Sequence, residues 1–291
     1  MENTAGKTVN PGKKRIIAAV CAAAAVALLA VAFLLCRNSI FYSAAKKNIR
    51  KEDFKAAQTA LESVKTEKGQ VLRDYATLRV EINSRYASLI ASFDIDEVRK
   101  WEKEAGDIES RSSFLPDDVR PKATALYQKL STIRTLYDDF GKIQPGITEM
   151  MDVFDEINRL YSKDESGKNT PFTLDEEEQK IRSWTALHDS AYNYSIRLPG
   201  RNPVYLFSFL LKETQGELED LKKLTEKIKQ QGYGPADTVR INGEGRKSFP
   251  SVSSSDGTVL NFARKDEYVQ YLFKGVCRSL AESLAEYYIG F

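Results

Sequence analysis

Apolar residues recur at helical spacing along most of the chain after residue 37. Tyr75, Leu78 and Ile82, for example, follow one another in steps of three and four residues, which places them on one face of a helix. The same spacing predicts helices over about residues 40–64 (with a break at 51–53), 71–90, 94 onward, 116–141, a short stretch to about 161, 173–194, 203–231 and from 266 onward. The stretch over 203–231 is the longest periodic one. We therefore expect a mainly α-helical protein.

Capping residues mark two of these helix starts. Asp94 is followed three residues later by Glu97, and Thr173 is followed at the same distance by Glu176. This arrangement is typical of a capping box, in which each side chain bonds to the backbone N–H of the other residue. We expect both positions to begin helices.

Helix breakers divide the rest of the chain. Gly141 is expected to end the helix over 116–141, and Pro145-Gly146 to form a turn. Residues 164–172 are polar and rich in breakers, which predicts a loop between two helical regions, 37–163 and 173–291. Residues 236–262 show alternation around Asp256-Gly257, a pair typical of hairpin turns, so a small β-hairpin-like element is expected there.

The segment over residues 16–36 contains no charge, no Gly and no Pro. As a helix its twenty-one residues would extend roughly 31 Å, close to the hydrocarbon thickness of about 30 Å. Its ten Ile, Leu, Val and Phe residues favour insertion by roughly 3 to 6 kcal/mol. We interpret residues 16–36 as a transmembrane anchor that contacts the lipid bilayer.

A cleaved signal peptide is the alternative interpretation of this segment. Its elements are a basic start, an apolar core and Ala30-Val31-Ala32 as a cleavage site. Cleavage there would leave an apolar stub, and Leu35 before Cys36 does not fit a lipoprotein signal. We favour a retained anchor in the cell membrane.

Basic residues flank the apolar segment on both sides, so counting them alone does not orient it. The cluster at residues 13–15 lies directly before the segment, and a long domain follows it. We predict a single-pass protein whose residues 1–15 are a short cytoplasmic tail and whose C-terminal domain is extracytoplasmic. The soluble part is expected to be a bundle or an irregular helical repeat.

Residues near 38–71 contain apolar packing positions at Phe41, Ala45, Ala57, Leu61 and Val64. In these positions the segment resembles a single tetratricopeptide helix pair. Asn48 replaces the characteristic Tyr of the first helix, and Gly69 replaces the closing Pro. The resemblance implies helical-repeat packing and a protein-binding role.

The charge balance argues against nucleic-acid binding. Four of the 43 basic residues and one of the 41 acidic residues lie before residue 37, so the rest of the chain is close to neutral. A nucleic-acid surface requires a concentrated basic patch, and no long run of one sign is present. Cys277 is the only cysteine after residue 36, so no Cys-based metal site and no intrachain disulfide are expected there.

Four features that could form chemical sites are better explained by structural roles. His188 is the only histidine, which excludes a histidine triad or a multi-histidine metal site. The acidic run over 175–178 is typical of a first helical turn. The stretch 241–248 lacks the Gly that a phosphate-binding loop needs before its Lys. Cys277 is interpreted as a packed thiol. We predict no catalytic residue, no cofactor and no metal.

Aromatic residues concentrate between 184 and 211, and this region is the best candidate for a pocket or partner surface. The candidate residues are Trp184, His188, Tyr192, Tyr194, Tyr205, Phe207 and Phe209. Core packing is the competing interpretation of the same cluster.

These features favour a membrane-anchored helical domain that binds or scaffolds another protein in the cell envelope, without enzymatic activity. The first alternative is a small-ligand sensing domain that signals through a membrane partner. The second is a hydrolase that uses two carboxylates.

Overall fold

The computed structural model describes residues 36–200, 203–241 and 265–289, together with Val26, Val31 and the dipeptides 252–253 and 259–260. This part of the chain is mainly helical, as the sequence predicts. The helices are α1 (36–50), α2 (Phe54–Leu61), α3 (Glu67–Ala91), α4 (Ile95–Ser110), α5 (Arg120–Met150), α6 (Asp152–Tyr161), α7 (Leu174–Ser195), α8 (Pro203–Gln230) and α9 (Lys265–Ile289). A short 3-10 helix, Ser112–Phe114, lies between α4 and α5.

The chain divides into two compact units. The first contains residues 1–85 and 101–127, and the second contains 86–100 and 128–291. The division falls inside α3, α4 and α5, so each of these helices has residues in both units. The second unit takes residues from both of the helical regions that the sequence places on either side of the 164–172 loop.

The first unit has a core built on α2 and α3. Phe54 and Tyr75 pack edge to face with their ring centroids 6.2 Å apart. The Arg79 guanidinium lies 4.4 Å from the centroid of the Phe54 ring, where the aromatic face attracts a cation. Asp53 caps α2 by accepting a hydrogen bond from the Ala56 backbone N–H at 3.0 Å. Trp101 is fully buried in the same unit.

In the second unit, α6, α7 and α8 enclose a hydrophobic core together with two short strands. Trp184 is one of its largest members. The buried side chains of this core are Val153, Phe154, Ile157, Leu160, Phe172, Leu174, Ile181, Trp184, Leu218, Leu221, Ile228, Val239 and Ile241. Strand β1 (Phe172–Thr173) pairs antiparallel with β2 (Thr238–Val239), and this pair brings the chain after α8 back to the start of α7.

Helix α9 packs on α8 within the second unit. Phe209 and Tyr268 meet edge to face with their ring centroids 5.7 Å apart. Gly275 of α9 lies against Leu206 of α8, so closely that an added Cβ would be 2.9 Å from the Leu206 Cγ. The absence of a side chain at Gly275 therefore sets how closely the two helices approach.

Several predicted helix boundaries are confirmed. The capping box at the start of α7 is present, with the Thr173 hydroxyl accepting from the Glu176 N–H and the Glu176 carboxylate accepting from the Thr173 N–H. Asp94 caps α4 by accepting from the Asp96 N–H at 2.9 Å. Helix α8 begins at Pro203 and ends before Gly232, whose φ of 89° is typical of a helix C-terminus.

The predicted helix end at Gly141 and the turn at Pro145-Gly146 are wrong, because α5 continues through both to Met150. A proline at position 145 removes the hydrogen bond to the carbonyl of Gly141. Gly141 and Pro145 are both exposed, so water can bind that carbonyl instead. Apolar residues on the other face, such as Phe140 and Ile147, are buried and hold the helix in place. At thirty-one residues α5 is also longer than α8, which the sequence ranks as the longest.

The described residues contain two separate pairs of short strands, whereas the sequence predicts one hairpin-like element over 236–262. Strands β3 (Val252–Ser253) and β4 (Val259–Leu260) pair antiparallel inside the predicted range 236–262. The residues between them, including Asp256-Gly257, lie outside the described residues. Strand β2 falls in the same range but pairs with β1, a partner that local alternation does not reveal.

The predicted anchor over 16–36 lies outside the described residues except for Val26, Val31 and Cys36, all of which are helical. Among the helices in the described part of the chain, none combines the length and apolar character needed to cross a bilayer. The transmembrane assignment therefore stays a prediction.

Two glycines in helix interiors give opposite expectations for the same substitution. Gly275→Ala should lower the free energy of unfolding by about 1–3 kcal/mol, because the new methyl group overlaps Leu206. Gly216→Ala in α8 should raise it by about 0.5–1 kcal/mol, because nothing lies within 4 Å of the added Cβ and alanine favours a helix. Urea unfolding followed by circular dichroism measures both variants. Effects of the same sign would contradict this account of the α8–α9 contact.

Candidate functional site

A pocket of about 580 Å³ opens between α6 and α7 in the second unit. Eight of its nine lining residues have polar or charged side chains, and the ninth is Trp184, the one aromatic residue of the lining. The lining residues are Glu149, Asp152, Asp155, Glu156, Arg159, Gln179, Lys180, Ser183 and Trp184. Four of them are acidic and two are basic, so the pocket surface carries more negative than positive charge.

Helical periodicity explains why these side chains meet. The apolar face of α6, which includes Val153 and Leu160, is buried in the core. Asp152, Asp155 and Arg159 follow one another in steps of three and four residues and so share the face that borders the pocket. On α7, Ser183 and Trp184 follow Lys180 at three and four residues, and these side chains form the opposite wall.

Glu156 is the most strongly held carboxylate of the pocket. Arg159 donates to it from Nε at 3.0 and 2.9 Å and from Nη2, and Lys180 donates from Nζ at 2.9 Å. Burial raises the pKa of Glu156, but the hydrogen bonds from Arg159 and Lys180 outweigh burial and lower the pKa to about 2. Glu156 is therefore ionised at neutral pH, and its oxygens are occupied.

Glu177 lies behind this wall with a fully buried side chain. Neither of its carboxyl oxygens accepts a hydrogen bond from a described residue, and in its neutral form Glu177 donates a hydrogen bond to the Glu156 carboxylate. The Lys180 Nζ is 3.9 Å from Glu177 Oε2, too far for a hydrogen bond. Burial, reinforced by the charge of Glu156, raises the pKa of Glu177 to about 8. At neutral pH Glu177 is mainly a neutral acid beside an ionised one.

The remaining interactions at the rim of the pocket involve Lys265, Glu149 and Ser183. Lys265, the first residue of α9, forms ion pairs with Asp152 and Asp155. Glu149 is exposed and accepts a hydrogen bond from the Ser183 hydroxyl at 3.3 Å. Glu149 is the one pocket carboxylate that has no cationic partner among the described residues.

The structure does not gather the seven aromatic-region candidates into one pocket. Trp184 alone lines the pocket described above. Tyr194 and Phe207 meet in the core with centroids 5.9 Å apart, and the Tyr194 hydroxyl donates to the Leu136 carbonyl at 2.8 Å. Phe209 packs on Tyr268, as described above.

The remaining three candidates lie elsewhere on α7 and α8. Tyr192 and Tyr205 are 50% and 68% exposed and belong to no pocket described here. The His188 Nε2 is 3.1 Å from the carbonyl oxygen of Leu211, so this ring joins α7 to α8. Its Nδ1 lies 3.5 Å from an Asp189 carboxylate oxygen.

Cys277 is buried in α9. Burial raises the pKa of its thiol to about 11, so the group is protonated at neutral pH and poorly suited to act as a nucleophile.

Glu177 is absent from the candidates predicted from the sequence, because the acidic run over 175–178 as a whole is typical of a first helical turn. The structure separates these residues: Glu176 forms the capping box, Glu178 pairs with Lys229, and Glu177 is buried. A signal was present in the spacing. Position 177 falls on the stripe that also carries Leu174, Ile181 and Trp184, so a charged residue there must enter the core or its edge.

Comparisons with known proteins add no assignment to this geometry. No protein-family model matches the chain, and neither the curated proteins nor the solved structures give a match. The tetratricopeptide resemblance over 38–71 therefore stays a prediction. Among the described residues, no group of His, Cys, Asp and Glu side chains could hold a metal ion.

Glu177→Gln should remove a pH dependence of stability. The pKa of Glu177 lies above its ordinary value of 4.5 in the folded chain, so its protonation stabilises the fold at low pH. That contribution is lost as pH rises from about 4.5 to about 8, by up to about 1.4 kcal/mol per pH unit. The variant and the wild type should therefore have similar stability near pH 5, and the variant should be the more stable near pH 8.

Urea unfolding at one-unit steps from pH 5 to pH 9 tests this expectation. Glu219→Gln is the matched control, because Glu219 is an exposed residue of α8 and the variant should follow the wild type. Parallel pH profiles for Glu177→Gln and the wild type would show that Glu177 ionises at its ordinary pKa.

Proposed function

We propose that this chain is a membrane-anchored, non-enzymatic binding protein whose helical domain recognises an arginine or lysine side chain of a protein partner. The pocket between α6 and α7 would receive the cationic group. The observation that carries this proposal is the locally unbalanced carboxylate of Glu149 at the rim of a pocket of about 580 Å³.

The ion pairs of the pocket support a cationic ligand. Asp152 and Asp155 share the single positive charge of Lys265, so these three groups together keep one net negative charge, and Glu156 is held by Arg159 and Lys180. Among the described residues, Glu149 has only the hydroxyl of Ser183 as a partner. A guanidinium or ammonium group would provide the missing positive charge, and a charged hydrogen bond to a carboxylate is among the stronger ones in proteins.

Trp184 supports a ligand with an apolar stem. Arginine and lysine present a charge at the end of a methylene chain, which can pack on an aromatic side chain while the charge remains at the polar rim. The pocket volume lies within the range of about 300–1,000 Å³ that is usual for small-ligand sites. A single side chain of a partner therefore has room to enter.

The same pocket could also receive a free cationic small molecule, which is the ligand-sensing alternative. A peptide offers backbone contacts beside the pocket that a free amino acid derivative lacks. The protein-partner proposal therefore requires that an arginine within a peptide binds more tightly than arginine amide.

A hydrolase based on Glu156 and Glu177 has less support from the geometry. Both oxygens of Glu156 are occupied by Arg159, and Lys180 bonds to one of them. Glu177 is fully buried and does not line the pocket. A general acid and a nucleophile both need direct access to the bond they break.

The membrane part of the proposal rests on the sequence of residues 16–36. We propose that this segment crosses the membrane once, with residues 1–15 in the cytoplasm and the following domain outside the cell membrane. We also propose that the soluble part is a helical bundle or an irregular helical repeat.

Protease treatment of intact cells tests the orientation. Trypsin added outside should digest the part of the chain after residue 36, while a tag placed before residue 7 stays protected until the membrane is opened. A cytoplasmic protein in the same cells provides the lysis control. Protection of residues 37–291 in intact cells would reverse the proposed orientation.

Binding can be measured with the full chain in detergent micelles and defined peptide probes. The chain has two tryptophans, so Trp101→Phe leaves Trp184, which lines the pocket, as the only source of tryptophan fluorescence. An acetylated tetrapeptide amide with one arginine should change Trp184 fluorescence in a saturable way. The same peptide with citrulline, which keeps the shape and removes the charge, should not.

Glu149→Gln should weaken binding of the arginine peptide by about tenfold, equivalent to about 1.4 kcal/mol, because it removes the unbalanced charge. Glu219→Gln should bind as the wild type does, and arginine amide should bind more weakly than the peptide. Equal binding of arginine and citrulline peptides, or unchanged binding by Glu149→Gln, would contradict the proposed function. Equal binding of peptide and arginine amide would instead favour the small-ligand alternative.

A further inference from the structure

Glu177 combines complete burial with unused hydrogen-bonding capacity. Its side chain has no exposed surface, and neither carboxyl oxygen accepts a hydrogen bond in the described part of the chain. In its neutral form it donates a hydrogen bond to the Glu156 carboxylate. The Lys180 Nζ, which lines the pocket, is 3.9 Å from Oε2. One lysine side chain therefore separates this buried carboxyl group from the pocket.

The charged groups around Glu177 come from three helices. Helix α6 contributes Glu156 and Arg159, and α7 contributes Lys180. Helix α8 contributes Lys229, which forms an ion pair with Glu178 on the next position of α7. Strand β1, Phe172–Thr173, contains no titratable side chain. The field at Glu177 is therefore set mainly by one carboxylate and two cations on the pocket wall.

The charge of this wall depends on the proton of Glu177. With Glu177 neutral, Glu156, Arg159 and Lys180 together carry one net positive charge. When Glu177 loses its proton, the four groups together are neutral. An incoming cation meets a repulsive wall in the first state and a neutral wall in the second, and buried charges are poorly screened by solvent.

We propose that binding of a cationic side chain in the α6–α7 pocket is coupled to release of the proton of Glu177, so that binding becomes tighter as pH rises. This inference rests on the proposed function, because it requires the pocket to bind a cation. By linkage, whatever favours the ionised form of Glu177 also favours the bound ligand, and the reverse holds equally.

The pH range in which binding and proton release are coupled follows from the pKa of Glu177, which burial raises to about 8. A bound cation lowers this pKa by attraction, so protons are released mainly between the lowered pKa and about pH 8. Glu156 does not contribute in this range, because hydrogen bonds from Arg159 and Lys180 hold its pKa, despite burial, near 2.

Calorimetric titration of the full chain with the capped arginine tetrapeptide measures the coupling directly. The peptide has no group that titrates between pH 7 and pH 9, so any proton that appears on binding comes from the protein. Titrations at pH 8 in two buffers of different ionisation enthalpy give the number of protons released. We expect a fractional release of about half a proton in the wild type, since the site is about half ionised near its pKa, and binding about five to ten times tighter at pH 9 than at pH 7.

Glu177→Gln keeps a neutral side chain of the same shape and should still bind the peptide. It should release no proton through position 177, and its affinity should stay flat from pH 7 to pH 9. The Glu219→Gln control should behave as the wild type does. If Glu177→Gln does not fold, carbon-13 NMR titration of the glutamate carboxyl groups in the wild type answers the same question. One buried carboxyl should titrate near pH 8, and at lower pH when the peptide is bound.

The possible failures are distinct. Peptide binding by the wild type with no proton release and a flat pH profile would overturn the coupling and leave the proposed function intact. Proton release that persists unchanged in Glu177→Gln would assign it to another group and overturn the role of Glu177. Absence of arginine-peptide binding even at pH 9 would overturn the proposed function, and the coupling with it.

Discussion

The helical period of α7 places Glu177 on the same stripe as Leu174, Ile181 and Trp184, and the second unit is organised around the burial of that stripe. Packing α7 on α8 covers the apolar side chains and removes one carboxyl group from water at the same time. The ionised form of that group is disfavoured in such surroundings, so the proton stays on Glu177 at neutral pH. The charge arrangement of the neighbouring pocket follows from this constraint.

Glu156 and Glu177 have the same side chain, but their different positions beside the pocket shift their pKa values in opposite directions. Glu156 lies at the edge of the core, where Arg159 and Lys180 can reach it, and it remains ionised. Glu177 lies one layer deeper, where Lys180 Nζ stays 3.9 Å away, and its pKa is raised to about 8. Two carboxyl groups with opposed pKa shifts on one wall allow a charge entering the pocket to move a proton, which a surface ion pair would not do.

Much of the helical framework could be read from local pattern because its causes are local. The capping box of Thr173 and Glu176, the start of α8 at Pro203 and the stop before Gly232 depend on neighbouring residues. At Gly141 and Pro145 the local pattern predicts a helix end that does not occur. There α5 continues because tertiary packing buries apolar residues on its other face. The pairing of β1 with β2 also depends on chain segments that are distant in sequence.

The sequence by itself determined that the chain is mainly helical, where several helices begin and end, and that residues 16–36 form an apolar segment of membrane-spanning length. Only the tertiary structure decided which polar residues share a pocket. It placed Trp184 in the wall of that pocket, left Tyr192 and Tyr205 exposed, and buried Glu177 behind Lys180. Helical spacing limits which side chains of one helix can meet, whereas the pKa of a carboxyl group depends on neighbours that other helices supply.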